Sequence, residues 1–203
     1  MIAIIDYNMG NLRSVQNAFE KLGAKTQIVS DPDKISGFEK IILPGVGAFG
    51  DAMDHLHSNG MDEAIKDFAK SQKPLFGICL GMQLLLESSQ EFGTHKGLGL
   101  IPGKVIKFDT SKFATPLKVP HMGWNELFVK QKTPLFKDLA ESFYLYFVHS
   151  YHVVCDEKYV MGETEYGYPF ASAIYNGNIY GIQPHPEKSH KVGLQILKNF
   201  MEM

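Results

Sequence analysis

The chain has 203 residues, a formal net charge of −2, 44% hydrophobic and 21% charged residues. That length and apolar fraction suit one packed domain that needs no disulfide or metal staple, and they exclude wholesale disorder. No Lys/Arg run forms a basic patch, so nucleic acid is not an expected partner. The opening MIAIIDYNMG has neither a basic leader nor a small-residue cleavage site, and no apolar run approaches the ~20 residues that span a bilayer. A cytoplasmic protein is expected, with Cys79 and Cys155 unpaired.

Ile2 to Ile5 reads as a strand, followed by a helix over Asn11 to Leu22 with Leu12, Val15, Phe19 and Leu22 on one face and Gly23 closing it. Thr26 to Val29 and Lys40 to Leu43 are the next strands. Asp51 to Lys70 is helical with a break near Asn59-Gly60, and Pro74 to Ile78 is a fourth strand, leading into a helix over Met82 to Leu86. Strands alternating with helices predict a mostly parallel central sheet covered on both faces. Beyond Gly97 the pattern turns β-rich, at Lys104 to Phe108, Phe143 to Val148 and Tyr151 to Cys155. Ala171 to Tyr175 and Ile179 to Gln183 flank Asn176-Gly177-Asn178, a hairpin signal because Asn and Gly tolerate positive φ. A helix over Ser189 to Met201 ends the chain. The expected fold is α/β with a smaller antiparallel annex, in a single domain over residues 1–203.

Chemistry concentrates in Gly77-Ile78-Cys79-Leu80-Gly81-Met82-Gln83. Gly-x-Cys-x-Gly after an apolar strand and before a helix has the spacing of a nucleophile elbow, in which a strained turn exposes the side chain and flanking glycines let neighbouring backbone pass. The helix N-terminus would favour the thiolate. Alone, the pattern fits a buried cysteine beside packing glycines equally well. A cysteine nucleophile needs a base and the base an orienter. His185-Pro186-Glu187 supplies both, since residues two apart in extended chain point the same way. Pro44-Gly45-Val46-Gly47, by itself an ordinary turn, provides a peptide for an oxyanion, with the Leu80 amide as second donor.

Together these segments resemble those of triad-type (class I) glutamine amidotransferases, over nearly the whole chain. Within that family they are similar to the glutaminase subunits of imidazole glycerol phosphate synthases. Asp6-Tyr7-Asn8-Met9-Gly10-Asn11-Leu12-Arg13-Ser14 resembles the opening motif, and Pro120-His121-Met122-Gly123-Trp124-Asn125 and Tyr146-Phe147-Val148-His149-Ser150-Tyr151 are the discriminating runs. The resemblance implies Cys79 as nucleophile, His185 as acid and base, and Glu187 as its orienter. It implies a glutamine site of Gly47, Gln83, Glu91, Ser150 and Tyr151, and an oxyanion hole of Leu80 with the Gly45-Val46 peptide. Asn11, Trp124, Tyr146 and Lys188 would face a (β/α)8-barrel cyclase subunit in a heterodimer. That partner would use the ammonia to make imidazole glycerol phosphate and an aminoimidazole carboxamide ribotide in histidine biosynthesis. No cofactor is implied.

Three positions in two segments depart from the pattern. Pro184 stands where Phe is usual and removes a backbone donor beside His185, and Asn8-Met9 replaces smaller residues. The rival readings are a paralogue supplying ammonia for amidino-sugar synthesis, a non-catalytic scaffold, and a cysteine peptidase or γ-glutamyl hydrolase acting alone. His55 and His57 diverge by about 200° on a helix and predict no metal site. His121 and His152 read as structural or interfacial rather than catalytic, and Cys155 as core.

Overall fold

The computed structural model describes residues 1–203. Its first half runs β1 (Ile2–Ile5), α1 (Leu12–Lys21), β2 (Thr26–Val29), β3 (Lys40–Leu43), α2 (Phe49–Ser58), α3 (Met61–Lys70), β4 (Leu75–Ile78) and α4 (Leu80–Leu84). The second half adds β5 (Leu86–Ser89), β6 (His95–Lys96), β7 (Ile101–Lys107), β8 (His121–Val129) and β9 (Ser142–His149). It closes with β10 (Tyr151–Val154), β11 (Val160–Glu165), β12 (Pro169–Asn176), β13 (Ile179–Ile182) and α5 (His190–Glu202).

All strands join one sheet in the order β2-β1-β3-β4-β13-β12-β10-β7-β5-β6, with β11, β8 and β9 branching from β12 as a ribbon. The five strands from β2 to β13 are parallel. Side chains alternate across them: Ala3, Ile5, Ile41 and Leu43 pack with α2 and α3, whereas Ile2, Ile4, Ile42 and Phe76 pack with α1 and α5. Burial on both faces explains the unbroken apolar runs of β1, β4 and β13. The antiparallel β12–β13 hairpin turns through Gly177 at φ +61° and joins this parallel half to the annex.

Helix ends follow local chemistry. Asn11 caps α1 by accepting from the Ser14 amide at 3.3 Å, and Gly60 at φ +79° separates α2 from α3. The helix expected over Met82 to Leu86 is instead α4, five residues ending at Leu84. Amides of Leu98, Gly99 and Leu100 take the carbonyls of Leu84, Leu86 and Leu85, and so turn the chain into β5. The run beginning at His121 is strand β8, and β5, β6 and β11 also lay outside the predicted elements.

The C-terminal ends of β1, β3, β4 and β13 lie side by side where the strand order reverses, the place where open α/β sheets carry their sites. The turn after β4 fits there because Gly77 and Gly81 lack side chains. A Cβ on Gly77 would lie 2.6 Å from the Gly81 carbonyl oxygen, and one on Gly81 would overlap the Leu43 carbonyl. Gly81→Ala is expected to cost about 3 kcal/mol. Tm should fall by roughly 6–12 °C in a thermal melt at this chain length.

Candidate active site

Cys79 caps α4 at φ 56°, ψ −113°, a strained conformation for a residue with a side chain. Its amide donates to the Ile182 carbonyl at 2.8 Å, so β13 holds the turn from the side. From the end of that same strand, His185 Nδ1 meets Glu187 Oε1 at 2.8 Å. The expected pairing is present, but by a different route. Pro186–Lys188 form a 3-10 turn, which brings the carboxylate back under the ring where an extended chain would carry it past.

His185 and Glu187 are almost wholly buried, with side chains 4% and 2% exposed. His185 Nε2 has no nitrogen or oxygen partner and shares a cavity with the Cys79 sulfur. Burial pulls the imidazole down, but the Cys79 sulfur and the Glu187 carboxylate together outweigh it and push His185 up to about 10. The phenol of Tyr7 is held far above its ordinary range, by burial first and then by the charge of Cys79.

The cavity is about 390 Å³ in volume. Of the residues singled out in the sequence, Val46, Gly47, Cys79, Leu80, Gln83 and Glu91 line it, and so do Ser150, Tyr151 and His185. Glu187 lies behind His185. Gly45 lies under the loop, where a Cβ would overlap the Tyr7 hydroxyl. The opening motif clamps this loop: Tyr7 Oη donates to the Pro44 carbonyl at 2.8 Å, and Met9 covers Gly47. Glu91 accepts from the Phe49 amide at 2.7 Å and so caps α2, which has no side-chain cap of its own. Gln83 Nε2 donates to the Tyr151 carbonyl at 3.2 Å and to Gln183 Oε1 at 2.9 Å.

Sequence reasoning missed Pro120, Val148 and His149 in the cavity wall, and Gln183 beneath it. His149 Nδ1 donates to the Tyr151 carbonyl at 2.8 Å, so its Nε2 accepts from His121 Nδ1 at 2.9 Å. His121 Nε2 in turn accepts from Asn125 Nδ2 at 3.1 Å. His121 stacks between Phe147 and Tyr166, with ring centroids at 4.8 and 4.0 Å. Burial pushes His121 down to about 4 and His149 to about 3. The even spacing of four along β8 could have flagged His121 and Asn125 as sharing one face.

Four expected partner contacts lie outside the cavity. Trp124 pairs with Tyr146 across β8 and β9 and stacks on His190 at 5.0 Å and 3°. Lys188 belongs to the exposed side of the neighbouring 3-10 turn. Asn11 has its side-chain oxygen committed to capping α1. His57 pairs with Asp62 and, with His55, belongs to no cluster able to hold a metal. Cys155 is partly buried beside the core, its thiol pushed up to about 11 by burial and Asp156.

The sequence model of the family described as "Glutamine amidotransferase class-I" matches residues 3–203. The chain belongs to the class-I glutamine amidotransferase family. It is 67% identical over 201 residues to the imidazole glycerol phosphate synthase subunit HisH of Sulfurimonas denitrificans, covering 98% of this chain and 97% of that one. It is 58% identical to HisH of Wolinella succinogenes over the full length of both. The solved structure of PurLQS from Thermotoga maritima superposes with a TM-score of 0.78 at 21% identity, over 99% of this chain and 97% of that one, and shares the fold. No helix of this amidotransferase is long and apolar enough to cross a membrane.

Its histidines should titrate in opposite senses. Unfolded imidazoles take up protons near pH ~6.5. Folded His121 and His149 resist to about 4 and about 3, so the unfolded chain binds more protons in between and stability falls as pH drops below that of free imidazole. His185 keeps its proton up to about 10, so its contribution is complete below the unfolded pKa and is lost as pH rises toward 10. Histidine ¹⁵N NMR at pH ~7.5 is expected to show His185 doubly protonated and His121 and His149 neutral, the latter two still neutral at pH ~5.

Proposed function

We propose that this chain is the glutamine-hydrolysing subunit of an imidazole glycerol phosphate synthase. The observation that carries the reading is the cavity shared by Cys79 and His185, with Glu187 held behind the ring, in a chain 67% identical over 201 residues to a relative of that name. Those full-length likenesses favour histidine biosynthesis over amidino-sugar synthesis, and the complete Cys79, His185, Glu187 set favours an enzyme over a scaffold.

Cys79 attacks as the thiolate beside an imidazolium. The sulfur adds to the side-chain amide carbon of glutamine, and the oxygen that gains the electron pair is received by the Leu80 amide and the Gly45-Val46 peptide. His185, carrying its proton, gives it to the departing nitrogen, and ammonia leaves. Neutral His185 then takes a proton from water as the hydroxide adds to the γ-glutamyl thioester. Collapse returns the thiolate and releases glutamate. Glu187 fixes which ring nitrogen faces the sulfur and stabilises the charged ring.

Both lone pairs of the Tyr151 carbonyl are filled, by Gln83 and His149. The α-ammonium of glutamine therefore falls to the Glu91 carboxylate, while amides at Ser150 and Tyr151 remain for the α-carboxylate. Free ammonia at neutral pH is largely protonated, so the product passes directly to a cyclase partner. Met122 and Trp124, exposed on the ribbon near the cavity, mark the docking face together with Tyr146 and Lys188.

Two measurements test this. Cys79→Ser, assayed with the cyclase partner, is expected to lower glutamate formation by at least about 10³-fold while the thermal melt stays unchanged. Trp124→Ala should weaken partner binding about 30-fold in calorimetric titration, as expected for an aromatic anchor.

A further inference from the structure

One buried polar side chain has no task in the chemistry above. Gln183 is fully buried at the end of β13, and its Nε2 lies 3.7 Å from the Cys79 sulfur. The polarity of that contact is set from the far end of a hydrogen-bond chain. The Tyr151 carbonyl can only accept, so the Gln83 atom 3.2 Å from it is the nitrogen. That same nitrogen lies 2.9 Å from Gln183, which must present its oxygen there. A carboxamide has one oxygen, so its NH2 group faces the sulfur. Turning Gln183 over would set two donors against each other in a buried place.

The sulfur needs such a donor. α4 has only five residues, so its macrodipole is small, and the Leu80 amide is assigned to the substrate's oxygen. The titratable groups beside the sulfur are His185 and Tyr7, either of which could return a proton to it. A carboxamide N–H offers charge-assisted hydrogen bonding with no proton to give. We propose that Gln183 is the side-chain donor that holds the Cys79 thiolate, with Gln83 and the Tyr151 carbonyl as the positioning groups that orient it. This rests on Cys79 being the nucleophile.

The test is alkylation of the full-length chain by neutral iodoacetamide, with Cys79 and Cys155 followed separately by peptide mass spectrometry. In the wild type Cys79 should react at least about tenfold faster than Cys155, whose thiol is burdened by burial. Gln183→Met, close in volume, should slow Cys79 about tenfold, leave Cys155 unchanged and keep the melt within a few degrees. In the assembled complex kcat should fall about tenfold with KM for glutamine within about twofold. A merely structural role would loosen the pocket and make Cys79 react faster. Gln183→Glu keeps the shape and the acceptor toward Gln83, and at pH ~8 should slow Cys79 further, which covers a failure of the methionine variant to fold. Unchanged or faster Cys79 alkylation in a folded variant overturns the role of Gln183 alone. Wild-type Cys79 reacting no faster than Cys155 overturns the nucleophile, and Gln183 with it.

Discussion

Cys79 and His185 meet because β4 and β13 run parallel in register, Ile78 beside Ile182, with the Cys79 amide on the Ile182 carbonyl. A slip of one residue would turn every side chain of β13 to the opposite face and carry the imidazole away from the sulfur. Glycines hold the register. Gly77 and Gly181 are paired partners, and a Cβ on Gly181 would lie 2.8 Å from Met82 Cγ. The floor of two strands is therefore bare where the turn after Cys79 rests. Leu43 of β3 completes that floor, so three strands far apart in sequence must all be placed before the elbow can form.

Two kinds of histidine lie within reach of one cavity, and environment alone separates them. His185 is buried beside the Cys79 sulfur and the Glu187 side chain, and their pull on its proton outweighs the cost of burial. His121 and His149 are buried among aromatic rings and main-chain acceptors, with no anion to pay them back. They stay neutral and serve as oriented hydrogen-bond links, each using one nitrogen to donate and the other to accept. A charge on either would break the chain that ends at the Tyr151 carbonyl, the same atom that orients Gln83.

Much of this was legible in the sequence because it rests on local patterns. The buried runs of β1, β4 and β13, the Gly60 break and the Asn176-Gly177 turn each follow from residues within one or two turns of themselves. The elbow was legible for the same reason. What escaped depended on distant partners. α4 stops at Leu84 because a loop beginning at Leu98 takes its carbonyls. Glu187 reaches His185 through a 3-10 turn that Pro186 begins, a geometry that spacing alone does not distinguish from an extended strand. Gln183 looked like one more strand residue, since its polarity is set by a carbonyl at Tyr151.

Pro184 shows how placement can be independent of the adjoining residue. The proline has no amide to donate, yet the amides on either side are both satisfied: Gln183 donates to the Ser172 carbonyl at 2.8 Å and His185 to the Tyr146 carbonyl at 2.9 Å. Buried Ser189 then accepts from the Tyr146 amide at 3.0 Å and donates to the His185 carbonyl. Tyr146 is thus gripped at both its N–H and its C=O by the segment that carries the imidazole. An aromatic ring at position 184 would add packing but no hydrogen bond to this arrangement. The residue that fixes His185 in space is Tyr146, whose own ring lies against Trp124 on the exposed ribbon. His185 and the proposed docking face are therefore joined through the main chain of one tyrosine, and neither link runs through the proline.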